Sequence, residues 1–256
     1  MLIHGQPGEG SDWDPVIGIL GTTHRLVVPD RPGYGASPGP ASGPTGNADQ
    51  LVDLLRRLGT GPAIVVGHSY GAAVAARLAE RHPEAVAALV LVCPAASSGA
   101  LGGADRALAL PVVGEAAAFL AMRSLANLAH WAARVIPAER LSSLPLRVGL
   151  PADRVGAFAD TWRRGDVWRV FATEQRALVA EMPELDEALP TIRVPVSLVA
   201  GGRDRIIPPR VVRELAGRLP QATITWAPEA GHLLPWRRPA VVAEAVRAVG
   251  PLSRSG

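Results

Sequence analysis

Ala63-Ile64-Val65-Val66-Gly67-His68-Ser69-Tyr70-Gly71-Ala72-Ala73-Val74-Ala75-Ala76-Arg77-Leu78 is the stretch on which the fold of this chain turns. Its first four residues form an unbroken apolar run, as a strand covered on both faces requires. From Ala72 onward the alanines and Leu78 favour a helix. Between the two lies the pattern Gly-x-Ser-x-Gly, from Gly67 to Gly71. Alone this pattern is weak, since a chain with 27 glycines supplies one by chance on the order of once in ten cases. Its setting makes it specific. A strand that passes into a helix within one residue puts that residue at a strained turn. Flanking glycines then let strand and helix approach closely. That is a nucleophile elbow, which presents the Ser69 hydroxyl at the carboxyl end of a sheet, where open α/β folds bind ligands. The helix that opens there aims its first N–H groups at any developing oxyanion.

Outward from this stretch, short apolar runs alternate with helical periodicity. Strand character falls on Leu2–His4, Arg25–Pro29, Ala63–Gly67, Leu89–Cys93, Val196–Ala200 and Thr223–Trp226. Helical spacing falls on residues 11–20, 48–58, 69–81, 210–219 and 240–249. This alternation predicts βαβ units and a doubly wound, mainly parallel sheet. From about Ser97 to Pro190 the alternation stops. Helical stretches there are separated by Pro111, Pro137, Pro145, Pro151 and Pro183. The expected organisation is an α/β core of residues 1–96 and 191–256, carrying a helical insertion of residues 97–190 over one end of the sheet. Phe119, Met122, Trp131, Phe158, Trp162, Trp168 and Phe171 in that insertion offer apolar surface to wall a pocket. For any single one of them, packing within the insertion is the stronger expectation.

Composition bounds the function classes. The 256 residues are 48% hydrophobic and 19% charged, which is globular. A net charge of +3 and an isoelectric point of about 9.9 suggest a nucleic-acid partner, but the pattern argues otherwise. All 26 basic residues are Arg, a sign of coding bias. They lie singly or in pairs such as Arg56-Arg57 and Arg237-Arg238, not in one basic module. No nucleic-acid partner is expected. Cys93 is the single cysteine and reads as a small buried hydrophobe. No run of about 18 uncharged apolar residues offers a bilayer span, and no signal peptide is visible. A cytoplasmic location without stable membrane insertion is the expectation. The chain opens on Met1-Leu2-Ile3-His4-Gly5, which reads as the tail of a strand and leaves open whether residues precede it.

A serine hydroxyl needs an adjacent base to attack at neutral pH. Of the six histidines, His232 in Ala230-Gly231-His232-Leu233-Leu234 follows the last strand and precedes the last helix, on the same rim as Ser69. His68 is expected to point away from the site, to pack or to bond within the elbow. His82 reads as a helix C-terminal partner. The base needs an acid to hold its tautomer. Asp204 in Gly201-Gly202-Arg203-Asp204-Arg205 follows the strand 196–200; the bland alternative is a turn Asp paired with Arg203 or Arg205. Asp30 also ends a strand, but Asp30-Arg31-Pro32-Gly33-Tyr34-Gly35 reads as a loop-bracing turn.

The order Ser69, Asp204, His232 resembles that of the α/β-hydrolase family, and not that of chymotrypsin- or subtilisin-type enzymes. His4-Gly5-Gln6-Pro7-Gly8 resembles the family's oxyanion loop and Asp30–Gly35 the loop after its next strand. The resemblance runs from Met1 to about Gly250, with the insertion as the helical cap. It implies that the backbone N–H groups of Gln6 and Tyr70 form the oxyanion hole. Ser69 argues against family members that carry Asp at the elbow, the haloalkane dehalogenases and epoxide hydrolases. Two strands that normally precede the oxyanion loop are absent, which leaves Arg25–Pro29 as an edge. The expected reaction is acyl transfer from a carboxylic ester with an apolar part to water, with no metal and no organic cofactor. Carbon–carbon bond hydrolysis, cofactor-free peracid formation and a small-molecule receptor with a slow triad remain open alternatives. The oligomeric state is unknown.

Overall fold

The computed structural model describes residues 1–137 and 155–249. Among the described residues five parallel strands make one sheet, in the spatial order in which they occur along the chain. They are β1 (Leu2–Ile3), β2 (Ala63–His68), β3 (Val86–Val92), β4 (Val196–Gly201) and β5 (Ala222–Ala227). Register pairs Leu2 with Val66, Val66 with Val90, and Leu91 with Leu198.

Alternate side chains of these strands feed two cores, one on each face. On one face Ile3, Val65, Leu89, Leu91 and Leu198 pack under helices α2 (Pro44–Arg57) and α3 (Tyr70–Arg81). On the other, Leu2, Val66, Val90 and Val199 pack under α1 (Asp14–Leu20) and a helix at the chain's far end, Pro239–Val249. Helices on both faces of a parallel sheet are the doubly wound α/β architecture expected.

Arg25–Pro29 does not form the expected strand. It runs extended beside β1, joined by a hydrogen bond from Leu2 N–H to the Val27 carbonyl at 2.9 Å. Among the described residues that bond is its one backbone link to β1, and Pro29 has no N–H to add another.

Between β3 and β4 the described residues hold no strand. They form α4 (Gly103–Leu108), α5 (Val113–Val135), α6 (Val155–Arg163) and α7 (Val167–Ala188). Pro145 and Pro151 lie outside the described residues. Pro183 does not end a helix as expected: α7 continues through it. Met182 and Leu185 on either side are buried in the main core with Leu178, so packing outweighs the lost backbone bond. α5 packs on α6 and α7, and α7 lies against α2 and α3. The chain then continues through α8 (Pro209–Ala216), β5, α9 (Leu234–Arg237) and α10 (Pro239–Val249). No described helix is long and apolar enough to cross a membrane.

Candidate active site

Ser69 stands between β2 and α3 with φ 54° and ψ −118°, a backbone conformation that L-residues rarely hold. The two glycines of the motif are needed for close approach. A Cβ on Gly67 would lie 2.7 Å from Ala72 Cα, and one on Gly71 would lie 2.6 Å from the His4 carbonyl oxygen. The second contact ties the elbow to the loop after β1. Gly5 approaches from the other side with slightly more room, since a Cβ there would sit 3.2 Å from Ser69 Cβ.

Asp204 and His232 meet as the spacing implied. His232 Nδ1 lies 2.8 Å from Asp204 Oδ2, and both residues are buried. The other carboxylate oxygen, Oδ1, accepts the backbone N–H groups of Ile206 at 2.8 Å and Ile207 at 2.9 Å. Burial alone would raise this carboxyl's pKa. The hydrogen bond and charge of His232 and the two backbone donors outweigh it and hold the pKa below its usual value. With Asp204 ionised, Nδ1 carries the proton and Nε2 of His232 keeps a lone pair. The alternative pairing with Arg203 does not occur, because Arg203 forms its ion pair with Glu229.

Ser69, His232 and Gln6 line one cavity of about 150 Å³, with His4, Gly5, Pro7, Asp12, Trp13, His68, Ile206, Leu233, Pro235 and Trp236. Among the described residues no hydrogen bond joins Ser69 Oγ to His232, although both line this cavity. Tyr70 is buried behind the cavity as the first residue of α3, where its N–H has no partner within the helix.

Two expectations for neighbouring side chains need correction, and a third holds. His68 does not point away: it lines the cavity, and its Nε2–H donates to the His232 carbonyl at 3.0 Å. Burial, with the adjacent His232, lowers its pKa to about 3, so it is neutral. The insertion's aromatics do not wall the described cavity. Phe119 stacks edge-on against Trp168 at 5.3 Å, Met122 packs with Trp162, Trp168 and Phe171, and Trp131 is exposed. The side chain of Phe158 lies outside the described residues. The walls are instead Trp13, Trp236, Leu233 and Ile206, from loops and helices of the core. Trp13 gave no separate signal, because a tryptophan beside the apolar face of residues 11–20 reads as ordinary packing. Asp30 braces its loop as expected, accepting N–H groups from Gly10 at 2.7 Å and Ala36 at 2.8 Å.

Sequence reasoning also passed over a buried network beneath the Gly5 loop. Arg31 is fully buried and donates from Nε to the His4 carbonyl at 3.2 Å and from Nη2 to the Gly5 carbonyl at 2.9 Å. Its Nη1 pairs with Glu174 of α7, whose second oxygen accepts the Tyr34 hydroxyl at 2.8 Å. The guanidinium also lies 4.5 Å from the centre of the Tyr70 ring. Burial would lower the Arg31 pKa; the charge of Glu174 more than restores it. A signal existed, since Glu174 falls on the helical stripe Val167, Val170, Leu178, Leu185, where a lone carboxylate needs a buried partner.

Among the described residues, His68, Cys93 and His232 bring possible metal-ligand atoms within 4.8 Å of one another. Their chemistry suits packing better than a metal. His232 Nδ1 is held by Asp204, His68 Nε2 by the His232 carbonyl, and burial raises the Cys93 thiol well above its usual pKa.

Comparison with known proteins accords with this geometry. The chain is 32% identical to Lipase LipV of Mycobacterium tuberculosis, spanning 98% of this chain and 93% of that protein. It is 30% identical to the Magnesium-chelatase 30 kDa subunit of Rhodobacter capsulatus, over 91% of this chain and 80% of that one. The solved structure of a thermophilic esterase from Thermogutta terrifontis matches with a TM-score of 0.71 at 24% identity, covering 96% of this chain and 87% of that chain, which is a likeness of fold. The model of the alpha/beta hydrolase family matches residues 1–245. With a parallel sheet, a strained serine at the strand–helix turn and that match over nearly its whole length, the chain belongs to the alpha/beta hydrolase family.

Proposed function

We propose that this hydrolase cleaves a small or medium carboxylic ester through an acyl-enzyme on Ser69. The observation that carries the reading is the bond between Asp204 and His232 at 2.8 Å, on the rim of the cavity that Ser69 also faces. Ser69 Oγ attacks the ester carbonyl while His232 Nε2 takes its proton, and Asp204 stabilises the resulting imidazolium. The oxyanion is received by the N–H groups of Gln6 and Tyr70, such donors being worth ~2.7–4 kcal/mol each. His232 then protonates the leaving alkoxide, and a water activated by the same nitrogen hydrolyses the acyl-enzyme.

The cavity of about 150 Å³ is small beside the ~300–1,000 Å³ of pockets for drug-sized ligands, which favours a short acyl or alcohol group. Its apolar walls favour an alkyl chain. The similarity to a lipase supports ester chemistry, and residues 97–190 serve as the cap over the core. A p-nitrophenyl ester series from acetate to decanoate tests this. Turnover falling with chain length and lost in Ser69→Ala supports the reading. Turnover of a vinylogous diketone, or peracid formation from acetate and peroxide, without ester cleavage would refute it.

A further inference from the structure

The oxyanion loop is held from below by a helix of the insertion. The peptide that joins Gly5 to Gln6 carries the Gly5 carbonyl on one edge and the Gln6 N–H on the other. This peptide is trans, so the two groups point in opposite directions and fixing one aims the other. The Gly5 carbonyl is gripped by Arg31 Nη2 at 2.9 Å and by His4 Nδ1 at 2.8 Å. His4 is in turn fixed, because its Nε2 accepts the Arg31 N–H at 2.9 Å. Arg31 has no solvent to turn toward, and the side chain that orients its Nη1 is Glu174. The next residue on α7, Gln175, repeats the arrangement one position along. Its Oε1 accepts Gln6 Nε2 at 2.6 Å, while its own Nε2 faces the Asp105 carbonyl and Oδ1, both at 3.3 Å. Two adjacent buried polar residues of one helix therefore hold three consecutive residues of the loop.

We propose that Glu174 is a positioning residue: acting through Arg31, it fixes the Gly5–Gln6 peptide plane and so aims the Gln6 N–H at the oxyanion. The proposal rests on the reading of Gln6 as an oxyanion donor. It makes the insertion part of the catalytic geometry and not merely a cover. A displacement of α7 would change the rate of the chemical step even where substrate binding is unaltered.

The test compares wild type, Glu174→Leu and Glu174→Gln, with p-nitrophenyl acetate as substrate and a fluorophosphonate as the irreversible probe. Thermal melting verifies folding. Losing one oxyanion donor costs on the order of 10²-fold in kcat, so Glu174→Leu lowers kcat and the maximal phosphonylation rate by that order, with KM and the probe's KI within about twofold. Glu174→Gln keeps an oxygen for Arg31 Nη1 and recovers all but roughly three- to tenfold of the loss. Should the Leu variant fail to fold, the isosteric Gln variant decides, and a kcat equal to wild type overturns the proposal. It is also overturned if folded Glu174→Leu keeps its kcat, or if KM alone rises. A wild-type protein that neither turns over the ester nor is labelled removes the hydrolase chemistry as well. A labelled wild type with unaffected variants removes only the role of Glu174.

Discussion

Replacing Asp204 by Asn tests the charge arrangement with almost no change in shape. Three donors converge on this carboxylate: His232 Nδ1–H on Oδ2, and the Ile206 and Ile207 N–H groups on Oδ1. Asn has one oxygen. If that oxygen keeps the two backbone donors, its NH₂ group faces His232, and Nδ1 must become an acceptor. The proton then sits on Nε2, where it blocks the uptake of the Ser69 proton. The opposite orientation leaves two buried N–H groups without acceptors, at least ~2 kcal/mol. That preference puts the productive tautomer at roughly one part in thirty. The imidazolium in the transition state also loses a charge-assisted hydrogen bond worth ~1.5–3 kcal/mol. Together these come to ~3.5–5 kcal/mol, a fall in kcat of roughly 4 × 10² to 5 × 10³-fold. The assay is steady-state hydrolysis of p-nitrophenyl acetate, with near- and far-UV circular dichroism as the control for fold. A folded Asp204→Asn protein within tenfold of wild type would show that the Asp204 charge does not set the His232 tautomer and would point instead to Asp12, the carboxylate that lines the cavity.

Further outcomes follow from packing and titration. Gly71→Ala places a Cβ 2.6 Å from the His4 carbonyl oxygen and costs at least ~3 kcal/mol in chemical denaturation. Gly18→Ala, in α1 with open space around it, gains ~0.5–1 kcal/mol; the same sign for both would contradict the packing. Because His68 has a folded pKa of about 3, the unfolded chain binds one more proton between that value and ~6.5. Stability therefore rises with pH across this window, by up to ~1.4 kcal/mol per pH unit for this group. In His68→Gln, urea unfolding from pH 6.5 to 4 shows a slope smaller by about one proton, and an unchanged slope counts against a buried neutral His68. Leu233→Ala widens the cavity and moves the preferred ester toward longer chains; an unchanged chain-length profile would mean that Leu233 does not bound the acyl site.

What the sequence could reveal depended on how local each feature was. The strand, turn and helix around Ser69 lie within sixteen residues, so the backbone demands on Gly67 and Gly71 leave a direct mark. Asp204 and His232 were legible because each follows a strand of one parallel sheet, and the carboxyl ends of such strands share a rim. The pairing of Arg31 with Glu174 spans 143 positions. A charged residue on an apolar stripe announces that a partner exists, but nothing local says which loop supplies it. His68 escaped for a related reason: as the last residue of β2 its direction depends on where His232 returns. Arg25–Pro29 shows the opposite failure, a run with strand composition that makes a single backbone bond to β1 and ends in a proline with no N–H to donate.

Activation of Ser69 as a nucleophile is read out by active-site labelling. Folded protein treated with a fluorophosphonate and digested for peptide mass mapping should carry the phosphonate on Ser69, with labelling lost in Ser69→Ala and strongly slowed in Asp204→Asn. A well-folded wild-type protein that stays unlabelled, or one labelled on another residue, would mean that Ser69 is not the nucleophile.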